Sequence, residues 1–369
     1  MTDPNTVTLS VGGMDYAGWK GVDITAGIER QARDFSLAVT WRWPGQDVAV
    51  PIRQGDACEV RIGTDHVLSG YVFATPISYD SGSITLGVAG RSRTADLVDC
   101  AAINQPGQWR AQSVQRIVTA LAEPYGIAVR SETAETAALA DHTIEPGETV
   151  FESIDRLLTL SRLLSTDDAL GRVVILRPGS AGRAHDRLEL GQNVLSADAP
   201  LDFSGVFSSY RVIGQQSGTD EAFGAAASET EASATDPRVS RRRELVIHQS
   251  GQLTAALARD RANWERGNRI GKALRASYKV QGWRQSNGAL WLPNQTVRVV
   301  DPLIGLDRDM LIAEVNYKLD DGGTVATLTV APPEAFEPEP ADPHKARKIK
   351  KGGKGDNFEY LLPADWDKT

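Results

Sequence analysis

A chain of 369 residues, 41% hydrophobic and 24% charged, has an ordinary globular composition and the length for two or three domains of about 100 to 150 residues each. A formal net charge of −8 argues against tight sequence-independent binding to nucleic acid, which needs a net basic face. The start "MTDPNTVTLS" has neither a cationic nor an apolar leader region, and no run of about eighteen apolar residues follows, so synthesis in the cytosol and no stable membrane insertion are expected.

The first β-rich domain is expected over residues 1–98. Apolar residues alternate there at Val7, Leu9 and Val11, at Phe35, Leu37 and Val39, and through "DACEVRIG", "HVLSGYVFA" and "GSITLGVAG". Short strands so spaced predict a small barrel or sandwich. Cys58 and Cys100, the two cysteines, fall in or just beyond these predicted strands and lack CxxC spacing, so they read as small structural side chains rather than a disulfide framework.

The period then changes, and residues 99–190 are expected to form a smaller α/β domain. Val114, Ile117, Val118 and Leu121 share one helical face that starts at a Ser113 cap and stops before Pro124. Thr149 and Glu152 have capping-box spacing ahead of Phe151, Ile154, Leu157 and Leu158, and "GRVVILRPG" returns to strand.

A second β-rich domain is expected over residues 191–335. It carries a mobile loop at 218–237, made of small and acidic residues, and an inserted helix at 252–268 with a narrow stripe of Leu253, Leu257 and Trp264. Arg238, Arg241, Arg242 and Arg243 follow the loop and read as a solvated edge facing its acids. The stretch "SYKVQGWRQSNGALWLPNQTVRVVDP", Ser277 to Pro302, reads as two strands joined by a glycine turn and stopped by proline.

From residue 336 to 369 the prolines and charges cannot build a core. Yet Lys345, Arg347, Lys348, Lys350, Lys351 and Lys354 form an acid-free basic run, and Phe358, Tyr360, Leu361, Leu362 and Trp366 follow it. Two readings stand, a disordered tail or a segment that docks onto a partner or onto its own oligomer.

No catalytic cluster is visible. His66, His142 and His185 each adjoin an aspartate, but neighbours on an extended chain point to opposite faces. HExxH, paired CxxC, GxSxG and P-loop patterns are missing, so no catalytic residue, cofactor or metal is expected. The tryptophans read as core and contact residues.

Six stretches, in order, carry a resemblance. They are "YAGWKGVDITAGIERQARDFSLAVT", "LGVAGRSRTADLVDCAA", "GETVFESIDRLLTLSRLLSTDDALGRVVI", "LDFSGVFSSYRVIGQQSG", "RANWERGNRIGKALRASYKVQGWRQSNGALWLPNQTVRVVDP" and "MLIAEVNYKLDDGGTVATLTVAPPEAF". Together, from Tyr16 to Phe336, they resemble the baseplate hub proteins of Mu-like contractile-tail phages, related more distantly to the T-even phage hub and the type VI secretion spike base.

The resemblance implies a mixed, β-rich fold with two β-barrel domains per chain, so that a homotrimer closes a pseudo-hexameric ring, plus the smaller α/β domain. It implies a structural adaptor in the virion baseplate, with the central spike protein, the tail tube protein, baseplate wedge proteins and DNA in transit as partners. In that setting Gly282 and Gly288 permit the turns of a barrel strand pair. Trp283 and Trp291 fill the space beside them, and Pro293 limits further pairing. Two other classes stay open, a tail-associated cell-wall hydrolase and a carbohydrate-binding adhesion module, which peptidoglycan turnover or glycan binding would reveal.

Overall fold

The structure is a computed structural model that describes residues 3–40, 52–79, 84–215 and 229–340. The fold is β-rich with few helices, and the chain divides into two compact units. Of the described residues, those within 1–204 and 270–338 form one unit, and those within 205–269, with Glu339 and Pro340, form the other. The tail residues Lys345, Arg347, Lys348, Lys350, Lys351, Lys354, Phe358, Tyr360, Leu361, Leu362 and Trp366 lie outside the described residues.

In the larger unit, β1 (Val7–Val11) buries Val7, Leu9 and Val11, and the left-handed pair Gly12 and Gly13 turns the chain into β2 (Met14–Tyr16). The strands β3 (Gly21–Gly27), β4 (Asp34–Thr40), β5 (Ala57–Ile62), β6 (Asp65–Ala74), β7 (Ile77–Tyr79) and β8 (Ile84–Ser92) follow, and α1 (Ala95–Asp99) ends this part. The strands run antiparallel in the order β3-β4-β8-β6-β5-β1-β2. The β6 and β8 backbones approach closely at Gly70, where an added Cβ would lie 1.9 Å from the Arg91 carbonyl oxygen. Cys58 is buried in β5, and burial pushes its thiol up to about 12; Cys100 follows α1 rather than a strand, and both thiols are free.

The middle segment contains β9 (Gln108–Gln112), α2 (Val114–Ala122), β10 (Val129–Ser131), β11 (Leu139–Thr143), α3 (Val150–Leu160), β12 (Leu164–Asp167) and β13 (Val173–Leu176). Both helices pack their apolar stripes with Val173 and Ile175 into one core. The Thr149 capping box forms, each partner satisfying an orphan N–H of the other. Ser113 stands at the start of α2, but its hydroxyl donates to Glu135, and Thr136 Oγ1 accepts the Val114 N–H instead. A loop residue distant in sequence thus does the capping expected of the serine.

Next come β14 (Leu188–Glu189) and β15 (Val194–Asp198). The smaller unit then supplies β16 (Ser209–Gln215), β17 (Glu229–Thr235) and β18 (Glu244–Gln252), a three-stranded sheet in the order β17-β16-β18. This corrects the loop expected at 218–237: residues 229–235 are strand, paired antiparallel from Ser209↔Thr235 to Gln215↔Glu229, while 216–228 lie outside the described residues. Acidic and small side chains do not prevent pairing when the ladder bonds come from the backbone.

The expected helix appears as α4 (Ala255–Ala273), starting later and running further than 252–268. Its buried positions in the smaller unit are Ala258, Ala262, Glu265 and Asn268, whereas Leu257 and Trp264 are only half-buried and Leu253 precedes the helix. Leu253, fully buried, and Leu257 join Ala258 and Ala262 in one core, so the expected stripe forms in part, and the small alanines let the helix pack closely. Because among the described residues β16, β17 and β18 pair only with one another, residues 205–269 form their own unit inside the span expected for the second β-rich domain.

The larger unit is completed by β19 (Ala276–Gln281), β20 (Thr296–Asp301), β21 (Leu306–Asp320) and β22 (Gly323–Ala331). One pairing unites the two ends of the chain: β21 lies antiparallel to β3, from Glu314↔Gly27 to Leu319↔Val22. The result is a single 14-stranded sheet whose main path runs β15-β19-β22-β21-β3-β4-β8-β6-β5-β1-β2. No closed barrel forms among the described residues, because β3 pairs with β21 on the side where closing its own half would require β2.

The middle segment is fastened to this sheet by a buried ion pair. Arg33, whose side chain is 11% exposed, places Nε 3.1 Å from Oδ1 of Asp167, which is 1% exposed. The Arg33 backbone N–H donates to the same carboxylate and its guanidinium also reaches the Val67 and Asp167 carbonyls. Thr166 Oγ1 donates to the Gly27 carbonyl alongside.

Removing one member leaves the other charged and dry. Asp167→Ala is expected to cost about 3 to 5 kcal/mol in denaturant unfolding, and joint replacement of Arg33 and Asp167 by apolar residues of similar volume should recover at least half of it. The second expectation concerns pH. His142 in β11 bonds Ser153 Oγ at 2.9 Å, and burial, with Arg156 nearby, holds its pKa down at about 4. The unfolded imidazole takes up a proton near pH 6.5 while the native one stays neutral until about pH 4. Native stability should therefore fall as pH drops through that window, by on the order of 3 kcal/mol, and His142→Gln should flatten the profile.

Candidate functional site

Of the residues singled out in the sequence, Gly282, Trp283, Gly288, Trp291 and Pro293 lie in the connection between β19 and β20. Gly282, at φ 73°, ends β19, and Gly288, at φ 85°, closes a tight turn in which its N–H bonds to the Gln285 carbonyl at 2.9 Å. The two expected strands form as β19 and β20 but pair with other strands rather than with each other, and the connection between them is a short hairpin bridged at Arg284 and Leu290.

Trp283 and Trp291 are buried, at 0% and 2% exposure. The Trp283 indole N–H reaches the Lys318 carbonyl at 3.1 Å and the Val325 carbonyl at 3.0 Å, bonding the hairpin to β21 and β22. Its ring meets Tyr317 edge-on with centroids 6.4 Å apart, and the Tyr317 hydroxyl donates to the Trp291 carbonyl. Burial raises the pKa of Tyr317, so it stays a neutral donor. Pro293 ends the hairpin, and Asn294 follows in a left-handed conformation at φ 66°. The Asn294 side-chain oxygen accepts the Gly179 N–H at 2.7 Å, while its amide donates to Ser180 Oγ at 2.8 Å and the Arg177 carbonyl at 3.2 Å.

Two residues of this hairpin gave no signal in the sequence. Arg284 donates to the Pro4 carbonyl at 2.8 Å, the Ile62 carbonyl at 3.0 Å, Asp65 Oδ2 at 2.6 Å, Asn5 Oδ1 at 3.3 Å and the Gly288 carbonyl at 2.8 Å. One planar guanidinium thereby ties the hairpin to the N-terminal strands. Gln285, 5% exposed, accepts the His185 N–H at 2.6 Å and donates to the Leu290 carbonyl at 3.2 Å. An arginine beside a turn reads as a solvated charge unless its distant acceptors are known.

The histidines do not assemble with their neighbouring aspartates. Asp141 accepts from Gln108, while the His142 ring turns to Ser153; His66 Nε2 lies near Ser69 Oγ and the Leu68 carbonyl. Among the described residues no group of three or more His, Cys, Asp or Glu is arranged to hold a metal ion. No described helix is long and apolar enough to cross a membrane. What the arrangement does chemically is cohesion, and the hairpin is a joint.

Its energetics can be measured. Trp283→Ala should lose about 3 to 5 kcal/mol in equilibrium unfolding through the cavity it opens. Trp283→Phe, which keeps a ring but removes the indole N–H bonds to the Lys318 and Val325 carbonyls, should lose about 1 to 3 kcal/mol. Arg284→Lys should fall short of wild type as well, since one ammonium cannot replace a five-donor fork.

The comparisons with known proteins agree with one another. Residues 6–92 match the family described as Mu phage baseplate assembly protein GpP-like, N-terminal; residues 94–177 match the second domain of baseplate hub protein gp44-like; and residues 254–339 match the fourth domain of Mu phage baseplate assembly protein GpP. The baseplate hub protein gp44 of Escherichia phage Mu is 33% identical over 376 residues, which cover 98% of this chain and 96% of that one. Among solved structures, the 43 kDa tail protein of prophage MuSo2 from Shewanella oneidensis superimposes with a TM-score of 0.80 at 36% identity, covering 90% of this chain and 99% of the other. A tail protein from Neisseria meningitidis shares the fold, with a TM-score of 0.74 at 22% identity over 90% of this chain and 98% of that one. The chain belongs to the family of phage Mu baseplate hub proteins.

Proposed function

We propose that three copies of this chain close into a ring at the centre of a contractile-tail baseplate. Each copy presents its β1 to β8 half and its β19 to β22 half as two barrel-type wall segments. Six such segments around a threefold axis match a sixfold tail tube on one side and a threefold spike on the other. The supporting observation is the β3 to β21 pairing, which places two β-rich halves side by side in one sheet of a chain from this family.

In this reading the activity is shape. The ring joins tube, spike and wedge proteins and leaves a passage for DNA, and the net charge of −8 disfavours holding phosphates in transit. The 282–293 hairpin serves as a joint of the wall and has no catalytic duty. Residues 336–369 dock the ring onto a partner or onto itself.

Sedimentation of the purified protein, alone and with the spike protein, tests the proposal. A species of three chains in either condition is expected. A single-chain species in both would overturn it.

A further inference from the structure

The strand at one end of the sheet is poorly protected. β15 is five residues long, VLSAD, and pairs with β19 on one side; on the other, among the described residues, only Val194 is engaged, by the isolated bridge to Leu190, and four of its five residues are exposed. Native sheets guard such ends with lysine, proline or very short strands. β15 has neither lysine nor proline, only a bulge between Val194 and Ser196 and a terminal aspartate. The strand at the opposite end, β2, is three residues long and buries Tyr16.

Apolar side chains gather at the unprotected end. Leu195 is 55% exposed, Leu190 37% and Leu303 84%. They belong to one corner, since the backbone of Leu190 bridges Val194 and donates to the Val300 carbonyl, three residues before Leu303. Asp198 and Asp202 beside them are exposed.

The chain itself contains a segment of matching chemistry. In "NFEYLL" the residues Phe358, Tyr360 and Leu362 recur at every second position, the strand period, and Phe358 to Leu362 equals β15 in length. The basic run Lys345 to Lys354 precedes it and complements the exposed aspartates. The 17 residues between Pro340, where the described chain ends, and Phe358 span up to about 60 Å when extended.

We infer that the Phe358 to Leu362 segment of one copy adds as a strand to the edge of β15 beyond Val194 in the neighbouring copy, its aromatic and leucine side chains covering Leu190, Leu195 and Leu303. Backbone ladder bonds supply the attachment and the alternate side chains the selectivity, as in other strand-addition contacts. Tethering raises the effective concentration of the segment, so a weak contact suffices to latch a ring. This inference rests on the ring reading above, and it assigns the tail to the oligomer itself.

Full-length chains carrying Leu195→Cys are mixed with full-length chains carrying Tyr360→Cys and treated with a short thiol cross-linker, the wild type and each variant alone serving as controls. The mixture should yield a linked two-chain species at least tenfold above every control, and adding Phe358→Asp and Leu362→Asp to the Tyr360→Cys chain should abolish it. Trimers in sedimentation without cross-linking would overturn the inference and leave the ring reading standing. A separately prepared chain carrying both cysteines that links internally, with no two-chain species from the mixture, would overturn the assignment to a neighbouring copy. A monomer that neither links nor assembles would overturn both.

Discussion

The pairing of β3 with β21 is the constraint on which the larger unit depends. Residues near the start and the end of the chain, Gly27 and Glu314 among them, share a ladder, and one core therefore draws on both halves, from Leu9, Leu37 and Leu68 to Trp283, Val299 and Leu328. A sheet of this kind buries apolar area continuously on its covered face, and its register is set because a slip by one residue would turn Val22 and Ile24 outward. Each half alone would leave a long strand edge open at the junction.

Polar side chains then fix what the apolar core leaves adjustable. Hydrophobic contact is indifferent to small shifts, whereas the Arg33 to Asp167 pair and the five acceptors of Arg284 each demand one arrangement. Both arginines bond carbonyl oxygens of segments far from them in sequence, Arg33 to Val67 and Asp167, Arg284 to Pro4 and Ile62. The middle segment and the 282–293 hairpin are held to the sheet through these groups, at the cost of desolvating charge.

Much of the local structure was legible in the sequence. Alternation marked Val7, Leu9 and Val11 as a half-buried strand, and Thr149 with Glu152 announced a capped helix, because these signals depend on residues within one turn or one strand. Trp283 and Trp291 were rightly read as buried, and the ordered stretches from Tyr16 to Phe336 identified the family. What remained hidden was set by partners remote in sequence. Thr136 usurps the cap expected of Ser113, and residues 229–235 become strand only through the backbone of β16. Ala258 and Ala262 form a buried face that bulkier neighbours obscured. Arg284 belongs to the same class, since nothing near it names its acceptors.

The long separation between the paired strands bears on how the molecule is made. A ribosome adding about 5 to 20 residues per second takes roughly 15 to 60 seconds to travel from Gly27 to Glu314, and throughout that interval β3 has no β21 to pair with. The N-terminal strands must wait with an uncovered flank, so crowded synthesis favours mispairing between nascent copies. Shielding that flank during synthesis would therefore raise the yield of finished protein.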